Sequence, residues 1–347
     1  MASPIAAGVV LAAASAVAFG LTTPAIAWAS RDAGALTTAA LLYAGAALAA
    51  LAMHLGRRSA GAPLQRSDIP RIVLVAIVGA AVAPVCLAWG LARAGATAGS
   101  LVLNFEAVLT VLLAWWIYRE PLGRRVLLAV AIMAGAGVML VLDSSSRSET
   151  GLAGALVVTA ATLAWAIDNT LTRPLAQRDP LQVIVAKGAL GATLTATIAI
   201  VRGEPLPSVM TIAVLVACGA TGYGISLRLY LVAQRKIGAA RTGSVFALAP
   251  FVGAAVAFAL GDRDASLLTA LAAGGFAVGV YLHVSEKHGH EHAHEPSDHE
   301  HAHRHDDGHH DHAHDPPVIG EHTHRHSHSR LVHAHDHAPD VHHEHSH

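Results

Sequence analysis

The chain has 347 residues, 53% of them hydrophobic and only 14% charged, with 23 Lys/Arg against 24 Asp/Glu and a formal net charge of −1. So apolar a composition at this length excludes an ordinary soluble domain and points to a polytopic membrane protein. The near-neutral total hides a split: residues 1–285 carry 19 Lys/Arg and 11 Asp/Glu, whereas 286–347 carry 4 and 13, with 23 of the 25 His.

Ten apolar runs of about 20 residues are each long enough to cross a bilayer as a helix. The first, 5–29, ends in the small-residue pattern AIAWAS. It lacks a basic leading region and is longer than a secretory signal core, so it is expected to be a helix. Runs at 35–55 and 72–92 follow; the third holds Cys86, which with Cys218 makes two buried thiols and no disulfide framework. The fourth run, 97–118, contains Asn104 and, about ten residues from either end, Glu106. After the link YREPLGRR comes 123–142. The sixth run, 152–172, carries Asp168 and Asn169, with Asp168 five residues, about 7–8 Å of helix, from Arg173. Lys187 lies six residues into the seventh, 181–201. Tyr223 and Arg228 belong to the eighth, 208–233. Runs at 242–260 and 265–284 complete the set.

An ionisable group in hydrocarbon is costly, so each of these is a candidate functional residue. Asp168, Lys187 and Arg228 fall at similar depth on consecutive helices, with Glu106 deeper, and the four charges cancel. The spacing suggests an Asp168–Lys187 or Asp168–Arg228 pair that closes a gate. Glu106 then takes a coupling proton or meets a cationic group of the substrate. Lys187 and Arg228 are near enough to the interface to extend their ammonium and guanidinium toward it. Asn104 falls on the opposite side of its helix, Asn169 is placed to bond a neighbouring helix, and Tyr223 between glycines is either a pocket wall or plain packing. No nucleophile, nucleotide-binding or HExxH motif is present, and the chain is expected not to be an enzyme and to require no cofactor.

Short loops give the orientation. One set holds Arg57, Arg58, Arg66, Arg71, Arg119, Arg124, Arg125, Arg173, Arg178, Arg235, Lys236 and Arg241; the other holds only Arg31, Arg93, Arg147, Arg202 and Arg263. Both termini are therefore expected in the cytoplasm and the protein in the cytoplasmic (inner) membrane.

The tail, 286–347, has little apolar periodicity and four prolines, so it is expected to be disordered. Its His-x-His runs place His288, His290, His292 and His294, then His299, His301, His303 and His305, then His309, His310, His312 and His314. His322, His324, His326 and His328 follow, then His333, His335 and His337, and finally His342, His343, His345 and His347. Residues i and i+2 share a side in extended chain, and paired imidazoles suit Zn, Ni, Co or Cu(II). Several weak divalent-metal sites are expected here.

The chain also resembles itself at a spacing of about 145 residues. GATAGSLVLNFEAVLTVLLAWWIY (95–118) aligns with AARTGSVFALAPFVGAAVAFALGD (239–262), and GVVLAAASAVAFGL (8–21) with GALVVTAATLAWAI (154–167). Five spans per unit invert the second copy, a common construction in secondary transporters. The expected fold is an all-α polytopic membrane protein. Its ten transmembrane helices form two inverted five-helix repeats, 1–145 and 146–285, followed by the tail.

Gly99-Ser100, the helix to Tyr118, Glu120-Pro121-Leu122 and the helix with Gly135 and Gly137 make this chain resemble the EamA family of the drug/metabolite transporter superfamily. The second copy supplies Gly243-Ser244, Ala249-Pro250, Gly261-Asp262 and the helix with Gly274, Gly275 and Gly279. Where it has Pro250, the first copy has Glu106. The resemblance implies a cytoplasmic-membrane transporter that exports a small organic metabolite. Its partners would be the lipid bilayer, a small solute and divalent metals at the tail, with no nucleic acid and a homodimer left open. The alternative is a divalent-metal (Ni/Co/Zn) exporter fed by the tail, although the spans offer few ligands. A membrane-anchored metal store would not need ten spans.

Overall fold

The computed structural model describes residues 4–56, 62–118, 123–175, 178–237, 239–263 and 266–284, with four segments of the tail. The membrane part is all helical. α1 (Pro4–Ala29) and α2 (Ala35–Leu55) form the first pair; α3 (Ile69–Val75), a π-helical segment (Ala76–Val82) and α4 (Ala83–Ala94) form one continuous rod. α5 (Ala96–Val102) and α6 (Phe105–Tyr118) make a broken helix, followed by α7 (Arg124–Arg147), α8 (Glu149–Thr172) and α9 (Pro180–Val201). α10 (Val209–Cys218), a second π segment (Gly219–Ile225) and α11 (Ser226–Ile237) again form one rod. α12 (Ala239–Phe246), α13 (Ala249–Ala259) and α14 (Leu267–Val284) close the bundle.

Among the described residues, eight of these helical rods are long and apolar enough to cross a membrane. The other two expected spans, 242–260 and 265–284, are shorter apolar helices, Ala249–Ala259 and Leu267–Leu282. α12 and α13 are separated by a turn at 247–248, just before Pro250, which has no N–H to give a preceding carbonyl. α5 and α6 are parted at 103–104 without a proline, where the Asn104 side chain donates to the Leu101 carbonyl at 3.1 Å.

The two interruptions lie 144 residues apart and the two π segments 143 apart. Pro84 accounts for the first π segment. The Ala83 N–H reaches back to the Val78 carbonyl, and the Pro84 ring nitrogen has nothing to donate, which leaves Gly79 without a helical partner.

The helices pack across the chain's midpoint. α2 lies along α9, α7 along α14, α4 along α8, α1 along α11 and α13, and α5 along α13. Small residues allow this: a Cβ on Gly90 would come 2.8 Å from the Gly154 carbonyl oxygen, so α4 and α8 touch backbone to backbone. Leu42, Leu87, Leu91, Leu140, Leu215 and Phe276 are at most 1% exposed and form the centre. Trp116 and Leu206, 72% and 89% exposed, belong to an apolar outer surface that in water would be unfavourable and in lipid is the ordinary solution.

The tail differs from its expected disorder. β1 (His288–His294) pairs antiparallel with β4 (Leu331–His337), and β2 (Ser297–His303) with β3 (His322–His328). His290 is opposite His335, His292 opposite His333, His299 opposite His326 and His301 opposite His324. The physical reason is the alternation itself: the His-x-His period of two is the period of a strand. His305, His309, His310, His312, His314, His342, His343, His345 and His347 lie outside the described residues, as does Glu120-Pro121-Leu122.

Candidate functional site

The site forms where α2, the first π segment, α6, α8 and α9 meet. Asp168 on α8 and Lys187 on α9 form an ion pair, with side chains only 6% and 13% exposed. Gly79 makes room for them, since a Cβ there would be driven into the Asp168 carboxylate. The Gly79 carbonyl, freed by Pro84, accepts from Tyr43 Oη at 2.6 Å and Trp165 Nε1 at 3.1 Å. One interrupted turn thus receives the carboxylate on one side and two aromatic donors at its oxygen.

Asn169, the next residue after Asp168, donates from Nδ2 to Glu106 Oε1 at 2.8 Å. Because Asn169 follows Asp168 directly, this bond and the Asp168–Lys187 pair join the four side chains into one polar group. Glu106 sits in the first turn of α6, just past the break at 103–104, where the positive end of the helix dipole favours a carboxylate. Glu106 is half-buried and Asn169 exposed.

Aromatic rings wall this group. Tyr223, in the second π segment, lies 5.5 Å from Tyr43, 5.5 Å from Phe19 and 6.3 Å from Trp165, centroid to centroid. Phe246 and Tyr230 extend the wall, 5.2 Å from each other. The Tyr223 hydroxyl is buried with no hydrogen-bond partner, an arrangement that costs stability unless another group or water reaches it.

The structure therefore brings Glu106, Asp168, Asn169, Lys187 and Tyr223 together. It does not bring Arg228, whose Nη1 donates to Met53 Sδ at 3.4 Å; Asp168 takes Lys187 of the two bases the spacing allowed. Asn104 serves the helix break. With Arg228 directed elsewhere, the local set of Asp168, Lys187 and an ionised Glu106 carries one negative charge. Tyr43, Trp165 and Gly79 are additions that hydropathy could not supply. Among the residues whose side chains are described, no group of three His, Cys, Asp or Glu could hold a metal ion.

An all-helical bundle with a polar group set between its helices at the level of its broken helices defines a multi-pass membrane protein of the transporter class. The sequence matches the EamA-like transporter family over residues 6–142 and again over 152–285. The chain belongs to that family. It is 26% identical over 232 residues to an uncharacterized transporter of Methanothermobacter thermautotrophicus, covering 64% of this chain. The aligned region spans 66% of that relative's length. A solved crystal structure of a protein superposes with a TM-score of 0.58 at 18% identity, over 81% of this chain and 95% of that one, which speaks for the fold alone.

Proposed function

We propose that the protein is a secondary-active transporter of the cytoplasmic membrane, built from two inverted five-helix repeats (1–145 and 146–285), that exports a small organic metabolite. Both termini are cytoplasmic, and the His-rich tail binds divalent transition metal without feeding it to the transport path. The observation that carries the reading is the Glu106–Asn169 pair beside Asp168–Lys187. A carboxylate and an exposed amide at the middle of a bundle are sustainable where they line a water-filled cavity rather than lipid. With Glu106 ionised the site carries one net negative charge beside an aromatic wall, and that cavity suits a cationic group of the solute, or a proton in exchange for it.

A metal cargo is disfavoured by the same geometry. Lys187 stands in the site, and the described spans offer no three-ligand cluster. The test is flux in reconstituted vesicles under an imposed proton gradient, with the full chain and with a chain ending at Glu286. A panel of small amines and amino acids is run beside Ni, Co and Zn. Organic-solute flux that survives truncation and is lost in Glu106→Gln is the expected result. Metal flux that survives truncation and is lost in Glu106→Gln would make metal the cargo and overturn the reading.

A further inference from the structure

At the end of the bundle where α1 stops and α2 starts, four carboxylates reach from one half of the chain to the start of a helix in the other. Glu204 accepts the N–H groups of Leu36 (3.3 Å) and Thr37 (2.8 Å) and the Thr37 hydroxyl (2.7 Å). Asp262 Oδ2 accepts the N–H groups of Ala96 (2.6 Å) and Thr97 (2.9 Å), while the Thr97 hydroxyl donates to the Asp262 carbonyl at 2.9 Å. Asp32 accepts the Ser208 N–H at 3.2 Å and the Thr211 hydroxyl at 2.7 Å. Asp143 accepts the hydroxyls of Ser266 and Thr269 at 2.6 and 2.7 Å. Two of the four run from the first half to the second, and two run back.

The two strongest are built into the helix starts. α2 and α5 begin at Gly34 and Gly95, which have no side chain to cap their own first turns. The other half supplies the cap. A Cβ on Gly34 would be driven into the Glu204 carboxylate, and Gly95, at φ 83°, lies against Asp262. Just inside these two clasps, the Thr38 and Ser100 hydroxyls are fully buried and have no hydrogen-bond partner. Buried unpaired hydroxyls destabilise the arrangement that holds them, and both gain water if this end opens.

We propose that these four clasps are the gate at this end of the protein, holding it shut in the arrangement described and parting together when the two halves rock. This rests on the inverted-repeat reading above. Contacts within one half would be untouched by such a rocking, whereas all four of these must break. Each joins a carboxylate to backbone N–H groups or hydroxyls of the other half. On opening, water satisfies both partners at once, so the clasps are switchable. At the opposite end the halves meet through other groups: Arg178 Nε on Asp68 at 2.8 Å, the Leu64 N–H on Gln182 at 3.0 Å, and the Asp179 N–H on the Ala62 carbonyl at 2.7 Å.

Hydrogen exchange of the full-length protein in lipid nanodiscs tests this without a transport substrate, so a failed flux assay and a failed gate are told apart. In Glu204→Gln with Asp262→Asn, which keep acceptor oxygens but lose charge, amides of 35–42 and 96–102 should exchange about ten-fold faster or more. Amides of 62–68 and 178–182 at the opposite end should slow. Faster exchange at the clasps with no change at the opposite end would make them fixed helix caps and overturn the proposal. A disulfide between Leu36→Cys and Glu204→Cys, with Cys86 and Cys218 replaced by Ala, should do the reverse: slower exchange here, faster at the opposite end, both undone by reductant. An oxidised protein whose opposite end matches the reduced one would also overturn it.

Discussion

Asp168 and Lys187 are a buried pair whose members depend on each other. Taking two charges out of water is costly, and their attraction repays that only while both remain. Lys187→Met should therefore destabilise the protein by about 3–5 kcal/mol, because it strands a carboxylate against Gly79. Asp168→Asn combined with Lys187→Met should recover most of that loss, and denaturant unfolding of the single and double variants in detergent measures the coupling. Asp32 illustrates a weaker case at the surface. The Thr211 hydroxyl, and then the Ser208 N–H, hold its carboxyl below the ordinary 3.8. A depressed carboxyl stabilises the fold above its unfolded value and loses that contribution as pH falls through the folded one. The stability gap between the parent and Asp32→Asn should thus stay constant from pH 7 to about 4 and close only below it, as thermal unfolding against pH will show. A gap already closing between pH 7 and 5 would contradict the assignment. Glu106, Asp168 and Lys187 were legible in the sequence because a charge within a long apolar run is conspicuous. Which base Asp168 takes was not: Lys187 and Arg228 lie at similar depth, and only the placement of Met53 beside Arg228 separates them.

At the scale of elements, hydropathy reads length and depth but not interruptions. The spans were legible wherever about 20 apolar residues run together, whereas the breaks at 103–104 and 247–248, inside the fourth and ninth, were not. The π segments left no hydropathic trace, since Ala76–Val82 is as apolar as its neighbours. The signal available was chemical: Pro84 inside a span removes one N–H and frees one carbonyl, and Tyr43 and Trp165 are the donors that found it. This gives opposite outcomes for two glycines in apolar helices. Gly79→Ala should destabilise by about 1–3 kcal/mol, because the added methyl has to displace the Asp168 carboxylate or bend the π turn. Gly135→Ala, where a Cβ meets nothing within 4 Å, should be neutral or stabilise by up to about 1 kcal/mol through lower unfolded-chain entropy. Equal effects at the two positions, measured by thermal unfolding in one detergent, would mean that the Gly79 turn relaxes freely and is not a fixed part of the site.

The whole molecule joins two polymers with different physics. Up to about residue 285 every element is held by neighbours from the other half of the chain: α2 by α9, α4 by α8, α7 by α14. Two helix breaks and two π segments recur 144 and 143 residues apart, close to the spacing at which the sequence resembles itself. The described part of the tail is built differently. Among the described residues, strands β1 to β4 pair with one another and carry almost no apolar side chains to bury, so hydrogen-bond ladders of this length are marginal unless something else fastens them. Divalent metal bound by imidazoles on facing strands would do so, because the register sets His290 and His292 opposite His335 and His333. Removing the tail at Glu286 should therefore leave the thermal unfolding of the bundle in metal-free buffer unchanged, since the described strands of the tail pair with one another. The same truncation should abolish Ni or Zn binding in titration calorimetry. In the full chain, metal should raise the strand signal of the tail by circular dichroism without shifting the unfolding of the bundle. A bundle transition that moves with metal would mean that the tail docks on the helices, and the two parts would then have to be treated as one folding unit.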